Sequence, residues 1–499
     1  MTSTRREFLG RFGAFGAAAV AFERFGLLNA LAQSADYRAL VCIFLFGGND
    51  SGNMVIPYDD YATYASPREA GGLAIPQASL LPIDVPRIGS RFGLHPSLTG
   101  LHELWGQTRV AVVCNVGSLA EPTNRNSYRN GTAHIPANLF SHSDQQGQWQ
   151  TSVAEGSSST GWGGRTADRT ADLNATSFPP VTSMAGTPLF TSGVVERPLA
   201  IAAAPTRLDA ALRLDGFPNP PDNDARYVAL KNLLLLDTDK TLVRGASRVT
   251  AEAVAIERAL RGAGDPVVPP FPLEPRTSLG NQLEQIAKLI SLRDALGMRR
   301  QIFFASLGGF DTHSGQVLGG NPAAGTHANL LAQVSDAMRA FYDATVALGV
   351  ASQVVTFTLS DFSRTHVPNG TLESDHAWGS HQFVMGGSVL GGNFYGVAGS
   401  NGTVFPRWRP TVRTIRTPEG TREGAGSQRP PSTSMAPRSR RGLASRAQTC
   451  PRCFRILHDS PRRPSGSWGR KDRSSPIDSL RADFASVRLP VHARGDRPG

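Results

Sequence analysis

The sequence YRALVCIFLF at residues 37–46 is an almost continuous apolar run, and it ends at Gly47-Gly48-Asn49-Asp50. A run of this length, rich in branched and aromatic side chains and closed by a turn signal, is typical of a strand buried on both faces. Strands of that kind belong to sheets that helices cover on both sides. Residues 37–46 are therefore predicted to form a central strand of an α/β fold.

Further strands and helices are predicted along the rest of the chain. Apolar and β-branched runs predict strands at residues 109–116, 199–204, 301–306, 353–359 and 383–389. Apolar residues at helical spacing occur through 225–300, with a Pro-rich break, and again at 328–348. Residues 155–190 are rich in Gly, Ser and Thr and are expected to be a surface excursion. Strands that alternate with helices predict a mostly parallel, doubly wound sheet with helices on both faces.

Aspartate and histidine residues follow three of the predicted strands, at GGNDS (47–51), GGFDTH (308–313) and SDFSRT (360–365), and a fourth cluster is SDHAWGSH (374–381). In doubly wound sheets, ligands bind beyond the carboxyl ends of the strands. Carboxylate and imidazole groups bind divalent cations, zinc, manganese, calcium and magnesium among them, and two such ions can clamp an oxyanion. The predicted metal ligands are Asp50, Asp311, His313, Asp361, Asp375 and His376.

Simpler interpretations stand beside these assignments. An aspartate after a Gly-Gly turn is commonly a turn or N-cap residue. Arg364 is predicted to clamp an anionic group because its guanidinium fork fits phosphate, sulfate or carboxylate, and the alternative is a salt bridge to Asp361. Ser141 precedes a predicted helix at 144–151, so it is a candidate nucleophile at a helix N-terminus. The alternative for Ser141 is a plain N-cap.

The N-terminus predicts export. Arg5 and Arg6 are followed by Phe8 and Leu9, a short apolar region rich in Gly and Ala comes next, and Ala30-Leu31-Ala32 is a cleavage signal. Paired arginines in this setting indicate a twin-arginine signal peptide at residues 1–32, whose partner is the twin-arginine translocase. An ordinary amphipathic helix is the alternative. No later apolar run predicts a membrane anchor, so a periplasmic or secreted location is expected.

The composition changes at residue 407. Residues 407–499 hold 20 Arg and 1 Lys against 7 Asp plus Glu, a net charge of +14, whereas the whole chain is +11 and residues 1–406 are therefore −3. The basic charge belongs to this tail, so it does not indicate nucleic-acid binding by the folded domain at 37–406. The tail has no helical or strand periodicity, and it is expected to be disordered.

A shifted reading frame explains this tail more specifically. Methionine has one codon and alanine codons begin with GC, so the third base of Met435 with the first two of Ala436 reads glycine. The preceding codons permit Asp-Gln-Tyr in the same frame, which also permits Trp-Phe-Gly across 441–444 and Phe-Pro-Asn across 453–456. The slip would lie between Phe405 and Arg407, and Cys450 and Cys453 would then have no metal or redox role.

A family resemblance rests on these motifs together with FLFGGNDSGNMVIPY (44–58) and SHSDQQGQWQ (141–150). They resemble an exported bacterial family known as domain of unknown function 1501, from the signal to about Gly402. Its C-terminus carries the Asp-Gln-Tyr, Trp-Phe-Gly and Phe-Pro-Asn elements that the shifted frame permits. The family in turn resembles the alkaline phosphatase and sulfatase superfamily, which implies a two-metal site at the strand ends. By that resemblance, the metal ligands include Asp50, the Asp311/His313 pair and the Asp375-His376 motif.

Two functions of different classes follow. The first is an exported metal-dependent hydrolase whose substrate is a small anionic phosphate or sulfate ester. The second is an exported binding or structural protein that kept the fold and lost the chemistry. The aspartate and histidine set favours the first, whereas the lack of a clear nucleophile favours the second.

Overall fold

Residues 37–46 lie at the centre of a large sheet in a computed structural model of the chain. The structure describes residues 37–69, 71–211, 224–236, 239–269, 271, 276–369, 373–396 and 404–406. The predicted signal peptide (1–32) and tail (407–499) lie outside the described residues. The strands are β1 (Arg38–Leu45), β2 (Val55–Pro57), β3 (Leu81–Val85), β4 (Ser90–Leu94), β5 (Val110–Val116), β6 (Val181–Ser183), β7 (Leu199–Ala200), β8 (Arg300–Leu307), β9 (Val354–Ser360), β10 (Ser363–Arg364), β11 (His376–Ala377), β12 (Ser380–Met385) and β13 (Phe394–Tyr395).

The helices flank and connect these strands. They are α1 (Ser51–Met54), α2 (Tyr61–Glu69), α3 (Thr99–Gly106), α4 (Arg125–Arg129), α5 (His142–Thr151), α6 (Trp162–Thr170), α7 (Ala225–Leu233), α8 (Thr241–Ala263), α9 (Ser278–Ser291) and α10 (Thr326–Ala347). Within the described residues, no helix has the length and apolar character to cross a membrane.

The main sheet of the described residues has eight strands in the order β13-β5-β12-β9-β1-β8-β6-β7. Strand β12 runs antiparallel to both of its neighbours, and the other seven strands point the same way. The prediction of a mostly parallel α/β sheet with a central first strand is therefore confirmed. A second sheet, β2-β4-β3, was not predicted, and its strands are short.

Side chains alternate along β1 between two apolar layers, as the pleat of a strand requires. Val41 and Ile43 pack in one layer with residues of α3, α9 and α10, whereas Cys42 and Phe44 pack in the other with Ala167 of α6. Burial on both sides explains why the β1 sequence is continuously apolar rather than alternating. Cys42 and Cys114 are buried free thiols, as expected.

Two predictions, one of a surface excursion and one of a strand, require correction. Residues 155–190, predicted to be a surface excursion, include α6 and the sheet strand β6. The small residues there serve close packing, because a Cβ on Gly164 would lie 2.1 Å from the backbone of Ser192. The predicted strand at 383–389 instead spans Ser380–Met385 and is the antiparallel one, since the chain turns at Gly386-Gly387.

Candidate metal centre

The three predicted strand ends meet at one edge of the sheet. Leu45, the last residue of β1, pairs with Leu307 of β8 on one side and with Ser360 of β9 on the other. The segments that follow these strands therefore leave the sheet side by side, at the place where open α/β sheets bind ligands.

The Gly47-Gly48 pair allows these segments to approach closely. Gly47 and Gly48 have φ values of +114° and +82°, which favour glycine over other residues. A Cβ on Gly47 would lie 2.3 Å from the amide nitrogen of Asp311, and one on Gly48 would lie 2.5 Å from the ring of Phe362. Larger residues would push the three loops apart.

Three imidazole nitrogens surround one carboxylate oxygen at this edge. The Oδ1 atom of Asp311 is 3.4 Å from Nε2 of His142, 3.3 Å from Nε2 of His313 and 3.5 Å from Nε2 of His376. One donor atom each of His142, Asp311 and His376 lies within 4.8 Å of the others. We call His142, Asp311, His313 and His376 the donor group.

Each histidine of the donor group is oriented by a hydrogen bond at its other ring nitrogen. Nδ1 of His142 is 2.6 Å from Oδ2 of Asp361, and Nδ1 of His313 is 3.1 Å from Oδ1 of Asp375. Nδ1 of His376 is 2.9 Å from the carbonyl oxygen of Phe140. Carbonyl and carboxylate oxygens accept hydrogens from Nδ1, so in each ring's neutral form the Nε2 atom that faces Asp311 carries a lone pair. Metal-ligating histidines have this arrangement.

Charge and burial set the protonation states of the donor group. Burial raises the pKa of Asp311, but the hydrogen bond and charge of Arg364 outweigh it and lower that pKa to about 2. Burial, with the charges of Arg364, His142 and His313, lowers the pKa of His376 to about 4. The hydrogen bond to Asp361 raises the pKa of His142. At neutral pH Asp311 is ionised and His376 is neutral, the forms that bind metal.

The donor group fits a divalent transition metal ion. Nε2 of His142 is buried and has no hydrogen-bond partner within the described part of the chain, so it is an orphaned polar atom that lies 3.4 Å from Oδ1 of Asp311. Three imidazole nitrogens with one carboxylate oxygen suit zinc, manganese or iron better than calcium or magnesium, which prefer oxygen ligands.

The other predicted ligands lie around the donor group. Asp361 is fully buried behind His142, and Asp375 is behind His313. Asp50 is fully buried and forms two 2.9 Å contacts with the guanidinium of Arg68, so the structure does not bring it into the donor group. Asp50 also accepts a 2.7 Å hydrogen bond from Gln316, and the nearby charge and hydrogen bond of Arg68 hold its pKa below the usual range despite burial.

Arg364 is buried under the donor group. Its Nη2 donates to Oδ1 of Asp311 at 2.5 Å. Arg364 therefore forms a salt bridge with Asp311 instead of the predicted alternative partner Asp361. Its other hydrogen bonds go to backbone carbonyl oxygens, those of Gly47, Gly48, Phe310 and Ser374.

The sequence matches one family model over residues 37–407, and that family is described as "Protein of unknown function (DUF1501)". The chain belongs to the DUF1501 family. No curated protein matches the chain. The match covers the sheet and all four residues of the donor group and ends where the composition becomes basic.

In this DUF1501 chain, Ser141 is the N-cap of α5, which is the predicted alternative to a nucleophile. Its hydroxyl oxygen is 3.5 Å from the amide nitrogen of Asp144 and donates to the Asp144 carboxylate at 2.6 Å. The hydroxyl of Ser141 is thus committed to its own helix.

His142 is the functional candidate that the sequence interpretation missed. A polar stripe at positions i, i+4 and i+7 of α5 was the available signal. His142 and Gln146 contact the Asp361 carboxylate at 2.6 and 2.8 Å, and Trp149 donates to the Asp361 backbone carbonyl at 3.1 Å. One face of α5 therefore docks on Asp361, and this docking brings His142 to the strand ends.

Proposed function

We propose that this DUF1501 protein is an exported metal-dependent hydrolase of phosphate or sulfate esters. One observation carries the proposal: three histidine Nε2 atoms lie 3.3 to 3.5 Å from a single oxygen of Asp311. Such convergence in a partly exposed position, at the carboxyl ends of parallel strands, is typical of catalytic metal sites.

Two sets of residues would build the metal site, one that binds the cation and one that orients the binding residues. We assign the donor group to cation binding, and we assign Asp361, Asp375 and the Phe140 carbonyl to orienting its three rings. When bound, a divalent cation supplies Lewis-acid chemistry that polarises an ester oxygen and ionises water. Asp311 is 50% exposed, so a substrate can reach the donor group from solvent.

A likeness to the alkaline phosphatase and sulfatase sheet is part of the proposal. The parallel strand ends and their aspartate and histidine residues support it. Two features differ from a two-metal site. Asp50 is paired with Arg68, and Asp361 contacts a histidine ring from behind. We therefore propose a single cation at the donor group rather than a pair.

The position of Ser141 favours water as the attacking group. The Ser141 hydroxyl is engaged by Asp144, so this residue is not arranged as a nucleophile. The same observation favours a second candidate function, an exported binding or structural protein on this fold without catalysis. Bound metal without turnover on a broad ester panel would support the second candidate.

Export is the remaining part of the proposal. The paired Arg5 and Arg6 support passage through the twin-arginine translocase to the periplasm or the exterior. That route carries folded proteins, so the donor group would be complete before translocation. No nucleic-acid partner is proposed, since the basic charge lies in residues 407–499.

The experiment combines metal analysis with an activity panel. Purified protein is expected to bind a divalent cation and to cleave aryl phosphates or aryl sulfates, and a chelator should abolish the rate. Asp311→Asn and His376→Ala should each lower metal content, whereas His134→Ala, an exposed histidine paired with Glu155, is the matched control. Equal metal content in all four proteins would refute the metal site.

A further inference from the structure

Arg364 joins four segments of the chain that meet at the donor group. Its Nε donates to the carbonyl of Gly48 at 2.9 Å, and its Nη2 donates to the carbonyl of Gly47. Its Nη2 also reaches the carbonyl of Phe310 at 3.0 Å, and its Nη1 reaches the carbonyl of Ser374 at 3.2 Å. The segments after β1 and β8 and the segment before β11 are thus tied to β10.

Arg364 is also linked to two members of the donor group. Its Nη2 donates to Oδ1 of Asp311, the oxygen that the three histidine nitrogens surround. Through its backbone, it stands directly opposite His376 in the β10–β11 ladder. A change at Arg364 therefore acts on a carboxylate ligand by its side chain and on a histidine ligand by strand pairing.

The geometry assigns Arg364 a positioning role: it holds the strand-end loops and Asp311 in place for the cation and does not bind the substrate anion. Its side chain is 0% exposed, and four of its hydrogen bonds go to carbonyl oxygens inside the protein. An anion clamp needs guanidinium hydrogens that face the ligand. A lysine cannot replace this arginine, because an ammonium donates from one point and cannot span four carbonyl groups.

Arg68 provides a matched control. It is likewise fully buried and paired with an aspartate, Asp50, but it contacts no member of the donor group. Arg68→Lys and Arg364→Lys should both lower the melting temperature of the metal-free protein, because each disturbs a buried ion pair. Only a positioning residue should also change metal affinity.

The first test measures Zn²⁺ affinity of the folded variants by competition with a chromophoric chelator. Arg364→Lys and Arg364→Gln are expected to weaken Zn²⁺ binding by about 10- to 100-fold, the usual effect of losing an outer-shell partner. Arg68→Lys should retain wild-type affinity. Unchanged Zn²⁺ affinity in both Arg364 variants would overturn the positioning role. The inference rests on the proposed function, and a wild-type protein without Zn²⁺ affinity would refute that function itself.

A second test uses the wild-type protein and does not depend on the folding of a variant. Zn²⁺-loaded protein is treated with phenylglyoxal, which modifies accessible arginines, with and without inorganic phosphate, and peptides are analysed by mass spectrometry. Arg364 is expected to stay unmodified in both samples because it is buried. Modification of Arg364 that phosphate prevents would identify an anion clamp and contradict the positioning role.

Discussion

The Nε2 atom of His313 lies 2.8 Å from the Nε2 atom of His376. The Nδ1 atoms of both rings face outward, to Asp375 and to the Phe140 carbonyl, so the Nε2 atoms can form a hydrogen bond with each other only when one of them carries a proton. Two unprotonated Nε2 atoms at this distance would repel each other unless a positive species lay between them. Burial lowers the pKa of His376 to about 4, so at neutral pH this ring resists a proton. A cation bound with Asp311 would coordinate both nitrogens at once.

His142→Ala is predicted to lower metal content strongly, since it removes one of the nitrogens around Asp311. The neighbouring Ser141→Ala is the control. It should cost about 1 kcal/mol of stability through the lost N-cap and leave metal content unchanged. Metal analysis and urea denaturation of both variants separate the two effects. Metal loss in Ser141→Ala alone would instead favour Ser141 as a member of the site.

The sheet could be predicted from sequence because its central strands are buried on both faces. The run at 37–46 contains little except core residues, and Gly47-Gly48 marks its end. The prediction for residues 155–190 was wrong because a high glycine content is found both in loops and in helices that pack closely against their neighbours. Composition does not distinguish these two uses.

The site was predicted less completely than the sheet. Strand ends located Asp311 and His313, because parallel strands place their carboxyl ends together, and the separate cluster at 374–381 located His376. His142 lies on α5, far from these motifs in sequence, and only the docking of that helix on Asp361 brings it near. Asp50 has the sequence setting of a ligand, yet its partner Arg68 is on α2, and no local pattern indicates that pairing.

Asp50→Asn is predicted to destabilise the fold without removing the metal. The substitution leaves the buried guanidinium of Arg68 without its carboxylate, and breaking a buried ion pair in this way costs about 3–5 kcal/mol. The free energy of unfolding from urea titration should fall accordingly, while metal content of the folded fraction stays at the wild-type value. Asp50→Asn/Arg68→Met should recover part of the loss. A folded Asp50→Asn protein without metal would make Asp50 a ligand.

Arg5→Lys/Arg6→Lys is predicted to block export. The twin-arginine route recognises the paired guanidinium groups, and lysine retains the charge but not the fork. Cell fractionation should find the variant in the cytoplasm. Arg11→Lys, which changes a single arginine outside the pair, is the control and should be exported normally. An unchanged amount of periplasmic protein in the double variant would contradict the export proposal.

The tail prediction concerns the gene. If residues 407–499 are out of frame, DNA sequencing across codons 400–410 should reveal a one-base slip, and the corrected frame should encode Asp-Gln-Tyr, Trp-Phe-Gly and Phe-Pro-Asn. The protein with the corrected end should be more stable than the protein as written, because the aromatic residues of the corrected end would cover an apolar surface of the domain that would otherwise be left open. An unbroken frame, with a tail that resists protease, would contradict this interpretation.

Acid is predicted to destabilise the domain through its buried histidines. Burial lowers the pKa of His95 to about 3 and that of His381 to about 3, from 6.5. Between pH 6.5 and 3 the unfolded chain therefore binds protons that the folded domain does not, and the free energy of unfolding must fall as pH falls. Each such histidine contributes a slope of up to about 1.4 kcal/mol per pH unit in that window, and the slope vanishes above it.

Urea denaturation between pH 8 and pH 4 measures this slope, and a chelator in every sample removes any contribution from bound metal. His381→Asn is the informative variant, because asparagine can still accept the 3.1 Å hydrogen bond from the backbone amide of Asn115 but cannot take up a proton. Below pH 6.5 the free energy of unfolding of this variant should depend less steeply on pH than that of the wild type. The expected difference is the uptake of about one proton on unfolding. An identical pH dependence in the two proteins would mean that His381 binds protons equally in the folded and unfolded chains. That result would contradict the prediction, because His381 is buried against Phe405 in the folded domain.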